Sequence, residues 1–305
     1  MTDTDTTSGA TGGTTSGNAY GPRPPLGVGG LISASFSVLF RRFWLFLLLG
    51  LLVILGYFLI VALVFGGAAA GLLSASGNLA GGGVAELLAG GGGVVLGVLL
   101  FVSLILVSTF TQAYQTAAGH DVFLGIHHGW GHYFNVGLRR MVPLFVVYLA
   151  VILVMGAALF GIGAAMIAIG LPGWLTALVV MAVVLAALVI LSVAIPAIVV
   201  ENRWFSAIGR AWHLTEGYRW PVAGFIVTMI LISLGIALAF GAVIGGLGAT
   251  IGGDFGVGIV IAQILNFAVQ ILVTALFLIA YAVLFTRLRT IKEGAPTDDL
   301  AATFD

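Results

Sequence analysis

The chain has 305 residues, of which only 7% are charged, 11 basic against 11 acidic, while 61% are hydrophobic. A water-soluble fold carries about 25% charged residues and could not cover its surface with so few, so the composition specifies an integral membrane protein. Zero net charge gives no basis for nucleic-acid binding, and the absence of cysteine removes disulfides, thiolate metal sites and thiol chemistry.

Residues 1–26 are Thr, Gly, Ser and Asp closing on Pro22, Arg23, Pro24 and Pro25. They hold nothing from which to build a core, and read as a disordered cytoplasmic tail rather than a secretory signal. The segment 27–289 reads as one transmembrane domain, and 290–305 as a C-terminal cytoplasmic tail. Within the domain, six apolar stretches run at about 43–65, 94–118, 141–169, 174–200, 222–247 and 257–285. Each reaches the roughly 20 residues a helix needs to cross a bilayer, and none shows the short alternating pattern of a membrane barrel. The predicted fold is all-α and polytopic, six transmembrane helices in three hairpins, with amphipathic interfacial helices on the cytoplasmic side.

Punctuation marks the boundaries. Pro143 and Pro221 are placed in the first turns of the third and fifth spans, where a missing N–H costs little. Gly170-Leu171-Pro172-Gly173 predicts a tight turn between the third and fourth, and the glycines at 90–93 predict a loop. Trp44, Trp174 and Trp220 lie at span starts, at interface depth. With the N-terminus inside, all eleven Lys and Arg fall on the inner side, whereas the outer loops carry only Glu86 and Asp254. The positive-inside rule therefore puts both termini in the cytoplasm.

Three segments before the odd-numbered spans alternate polar and apolar residues with a helical period. Before the first, Ile32, Phe36, Leu39 and Phe40 oppose Ser33, Ser37 and Arg41. Before the third, Asp121, His128, His132 and Asn135 oppose Phe123, Ile126, Trp130, Tyr133 and Phe134. Before the fifth, Arg203, Ser206, Arg210 and His213 oppose Trp204, Ile208, Ala211 and Trp212. Interfacial helix, basic anchor and hairpin would then form a threefold repeat, a device found in transporters.

The run Pro196-Ala-Ile-Val-Val-Glu201, followed by Ala207, Arg210-Ala211, Leu214, Gly217 and Trp220, resembles a bacterial inner-membrane family related to the membrane domain of glycerophosphodiester phosphodiesterases. The ending Leu288-Arg-Thr-Ile-Lys-Glu-Gly294 is similar to that family's as well. Ala211 stands where such sequences often carry Ser. The resemblance implies a bacterial inner-membrane location and makes Glu201 and Arg210 the centre of the motif. It implies no hydrolase activity, because the phosphodiesterase site belongs to a separate soluble domain.

Glu201 and Arg210 flank the turn after the fourth span. They read as a structural clamp or, with Arg203 and Arg219, as a contact for lipid headgroups or a partner, since guanidinium groups bind phosphate well. His120, His127, His128 and His132 cluster near Asp121. His128 and His132, four apart, have a spacing that on a helix suits one metal ion, although a solvated surface explains them too and no metal site is assigned. Gln263, Asn266, Gln270 and Thr274 share one face of the sixth span, as Ser108, Gln112 and Gln115 do of the second. Unpaired amides are costly in hydrocarbon, so both faces should look inward, to bond one another or to line a polar path. The pairs Gly93/Gly97, Gly241/Gly245 and Gly252/Gly256 have the spacing of close helix contacts or self-association. No constellation of nucleophile, base and acid is present and no cofactor is expected. The sequence is read as a non-enzymatic membrane protein that organises lipids or partner proteins, with a homo-oligomer open. A small transporter or channel for a neutral or apolar solute is the alternative.

Overall fold

The computed structural model describes residues 26–76, 91–251 and 257–294. These form eight α-helices: α1 Val28–Arg41, α2 Phe43–Ser76, α3 Gly91–Phe123, α4 Trp130–Ala168, α5 Gly173–Glu201, α6 Ser206–Thr215, α7 Arg219–Ile251 and α8 Val257–Glu293. Six of them, α2–α5, α7 and α8, are long and apolar enough to cross a membrane, and the described residues contain no strand. The protein is an all-α, multi-pass membrane protein. The tail before residue 26, the loop acidic residues Glu86 and Asp254, and the Gly252/Gly256 pair lie outside the described residues.

The helices are stopped by local chemistry. At the end of α3, Gly125 takes the left-handed conformation (φ +78°). Its N–H bonds the Val122 carbonyl at 3.2 Å, and the Ile126 N–H bonds that of Asp121 at 2.8 Å. This is a Schellman cap, which only a residue free of a Cβ enters without penalty. The same arrangement closes α4, with Gly170 at φ +76° and bonds from Gly170 to Ile167 and from Leu171 to Met166. The 170–173 turn is therefore where the sequence puts it.

Several boundaries differ from expectation. The interfacial segment expected before the third span is not a helix of its own. Asp121–Phe123 completes α3, residues 124–129 form a loop, and Trp130–Arg140 runs unbroken into the third span. Pro143 is thus interior to α4, not in its first turn. A mid-helix proline is tolerated because only one backbone bond is lost and a long helix carries the rest. Pro221 does fall in the first turn of α7. Helix α3 begins at Gly91, so the glycines at 91–93 are helical rather than a loop, and α8 runs past 289 to Glu293. Two separate short helices, α1 and α6, remain of the threefold pattern.

The bundle is built around α8, which packs on α1, α2, α3, α5, α6 and α7. Burial is uneven along the helix axes. Near the end that carries the basic residues, Tyr114, Val193–Val199, Ala207, Ala211, Phe225, Ile226 and Phe285 form a continuous core. Toward the other end, on α4, α5 and α7, Leu153, Val154, Phe160, Leu178, Leu234 and Leu238 are exposed. That apolar surface suits contact with lipid tails. The close approaches belong to glycines outside the expected pairs. A Cβ on Gly119 would meet the Ile279 backbone at 3.1 Å, and one on Gly137 would meet the Phe110 ring, whereas Gly97, Gly241 and Gly245 have nothing within 4 Å. Gly97, Gly241 and Gly245 are therefore not among the contacts that pack this bundle.

Candidate functional site

Two polar centres stand out. The first lies at the basic end. Helix α5 ends at Glu201, and Asn202 follows in the left-handed conformation (φ 56°), turning the chain into α6. Arg210 on α6 then faces back, its Nε donating to Glu201 Oε2 at 3.1 Å and its Nη2 to Oε1 at 2.9 Å. This fork-on-fork geometry matches guanidinium to carboxylate. Arg203 Nε lies 2.9 Å from the same carboxylate. Arg210 also reaches Glu293 at the end of α8, at 3.0 Å, and Lys292 Nζ donates to the His213 carbonyl at 2.6 Å. The hydrogen bonds from Arg210 to Glu201 and then to Glu293 raise the guanidinium pKa above its ordinary value. The two stretches that carry the family resemblance, 196–220 and 288–294, thus meet in space. Glu293 is the partner that sequence reasoning missed. Its helical spacing from Arg289, with which it also pairs at 3.3 Å, pointed only to a local pair.

Arg203 and Arg210 are accordingly engaged by carboxylates. Arg219 instead lies over the Trp212 ring at 3.9 Å, on an exposed rim with Trp204, Phe205 and Trp220. On α6 the buried face is Ala207, Ala211, Leu214 and Thr215, not the aromatic stripe. Small residues let this short helix seat closely on the bundle, and the indoles stay outside, where an amphipathic ring suits a membrane interface. On α1, similarly, the buried face is Leu31, Ser35, Val38 and Leu39, while Phe40 is exposed.

The second centre is within the spans. Between α3, α4, α5, α7 and α8 lies a cavity of about 540 Å³ whose lining includes Gln112, Tyr148, Asn266, Gln270, Thr274 and Tyr281. Across the α3–α8 seam a second cavity of about 340 Å³, bounded also by α2, is lined by Ser108, Gln112, Gln115, Gln270 and Thr274. Gln112, Gln270 and Thr274 therefore border both. Gln263 lines neither cavity and is exposed. The Gln112 amide meets the Tyr148 hydroxyl, and Gln115 Nε2 donates to the Tyr114 hydroxyl at 3.2 Å. Yet the side-chain oxygens of Gln112 and Gln115, and the Thr116 hydroxyl, are buried without a hydrogen-bond partner. Such orphaned acceptors cost about 1–3 kcal/mol each and call for a specific reason. No charged side chain lines either cavity.

Of the histidines, His128 sits in the 124–129 loop rather than on a helix with His132, so the i,i+4 argument does not apply, although the loop still brings the two rings together. Comparison of the chain with known protein families, with curated proteins and with solved structures finds no match.

Proposed function

We propose that this is a non-enzymatic membrane protein that takes a neutral, hydrogen-bonding amphiphile into the amide-lined cavity, in the manner of a carrier or small transporter. The observation that carries the reading is the uncharged polar wall of Gln112, Asn266, Gln270 and Thr274, with the Gln112 side-chain oxygen left without a hydrogen-bond partner. An amide oxygen needs a donor, so the ligand offers a hydroxyl or N–H. A wall without charge disfavours an ion, which would be left unpaired in low dielectric. The volumes suit a small ligand site, and the apolar remainder of the wall suits a hydrocarbon portion. The packed core at the basic end closes the cavity there, so passage across the membrane would require that end to part.

The test uses the whole chain in nanodiscs containing diacylglycerol as the neutral, hydroxyl-bearing probe, with phosphatidylglycerol as the anionic comparison. Native mass spectrometry of the wild type should retain diacylglycerol in preference. The Gln112→Leu/Gln270→Leu variant should lose it while staying monodisperse. Equal retention of both lipids, or a variant indistinguishable from wild type, overturns the reading.

A second reading, organisation of anionic lipids or of partner proteins at the basic end, is supported by the exposed rim of Arg219, Trp204, Trp212 and Trp220. Glu201, Arg203 and Arg210 would then hold that rim in shape rather than touch phosphate. The resemblance to the phosphodiesterase-associated membrane family fits either reading.

A further inference from the structure

At the basic end, the Schellman cap of α3 folds the 124–129 loop back over Asp121. The loop is short and well tied. Besides the two cap bonds, the Leu124 N–H reaches the His120 carbonyl at 3.1 Å, and the His132 N–H reaches that of Gly129 at 3.1 Å. Tyr133, buried beneath, accepts a backbone hydrogen bond from His128 and packs edge-on against both the His128 and His132 rings. The result is that one ligand-type atom from each of Asp121, His128 and His132 lies within 4.8 Å of the others. His128 Nε2 is 3.9 Å from Asp121 Oδ2, and the two imidazoles stack at 4.1 Å. His120 Nδ1 stands behind, 3.4 Å from the other Asp121 oxygen.

We propose that Asp121, His128 and His132 form a binding site for a divalent first-row transition metal, with Zn²⁺ the natural probe. Two imidazoles and one carboxylate are a donor set for such ions, and three protein ligands leave further positions for water or an exogenous ligand. A tetrahedral zinc would draw the donor atoms to about 3.3 Å apart. The exposed His128 and His132 side chains can make that movement by rotating, because the backbone beneath them is fixed by Tyr133 and the cap. His120 is placed to orient the carboxylate from outside, as partners of ligating groups commonly do. The site stands apart from the amide-lined cavity and does not depend on how that cavity functions.

The experiment is calorimetric titration of ZnCl₂ into untagged, chelator-treated full-length protein in detergent, followed by X-ray absorption on the loaded sample. The expected result is one Zn²⁺ per chain, with two imidazole nitrogens at about 2.0–2.1 Å and a carboxylate oxygen in the first shell. His128→Ala, His132→Ala and Asp121→Asn should each abolish the saturable event. His120→Ala should weaken it about tenfold, the usual scale for an outer partner. His127→Ala and His213→Ala should leave it unchanged. Thermal melts of each variant in the absence of metal separate lost binding from lost folding. Absence of uptake by the wild type overturns the proposal. So does uptake that the His128→Ala/His132→Ala protein retains, or that His127→Ala and His213→Ala diminish equally.

Discussion

Arg210 is a residue on which three helices converge: it projects from α6 and binds the last residues of both α5 and α8. Its worth lies in what its loss would strand. Glu201 is largely buried, its side chain 11% exposed, and without Arg210 it would keep only Arg203 as a partner. Arg210→Ala should therefore destabilise the protein by about 2 kcal/mol, below the cost of breaking a fully buried pair because the site is partly solvated. Arg210→Lys should restore only part of that, since an ammonium cannot make the two-pronged contact. Thermal unfolding in detergent checks both, and a melting temperature indifferent to Arg210→Ala would show that the clamp does not hold the helices. Gly119 supplies a contrast in kind. Its Cα faces the Ile279 backbone so closely that Gly119→Leu should push α3 from α8, at about 1–3 kcal/mol for overpacking. Gly241→Leu, on the open wall of the larger cavity, should be tolerated.

At the level of elements, the two short helices use small or compact residues inward and aromatic residues outward. Helix α6 seats Ala207 and Ala211 and leaves Trp212 beneath Arg219. Helix α1 buries Ser35, whose hydroxyl satisfies itself on the Leu31 carbonyl at 2.7 Å. The sequence period showed that both segments are helical. It did not show which side faces protein, because an aromatic stripe serves equally against a bundle or against headgroups. The segment after α3 failed differently. Its polar stripe is real, but Gly125 and Gly129 interrupt the helix where an alternation of residue types alone continues through. The interruption is what brings His128 to Asp121.

For the whole molecule, the basic residues of distant segments come together at one end. Arg287 lies near Phe123, 6.0 Å from its ring, and Lys292 reaches α6. The positive-inside argument then predicts that this end faces the cytoplasm. Because the chain has no native cysteine, single cysteines can test it. In intact cells a membrane-impermeant maleimide should label Gly173→Cys, in the opposite turn, and should label His213→Cys only after permeabilisation. The reverse pattern would invert the topology.

The number of spans, their approximate limits and the clustering of charge were legible from the chain alone. They follow from hydrophobic length and from the cost of burying charge in hydrocarbon, both properties of a segment rather than of its neighbours. The amides of Gln112, Asn266 and Gln270 were legible as polar faces of their spans for the same reason. That they border cavities, that Gln263 does not, and that Gly119 rather than Gly241 marks a close contact were decided only in three dimensions. Inside a membrane, helices do not select their neighbours by hydrophobicity, since lipid is as apolar as the side chains. Shape, small residues and a few polar bonds between distant segments choose the partners. The meeting of Arg210 with Glu293, 83 residues apart, is such a choice, and no local pattern encodes it.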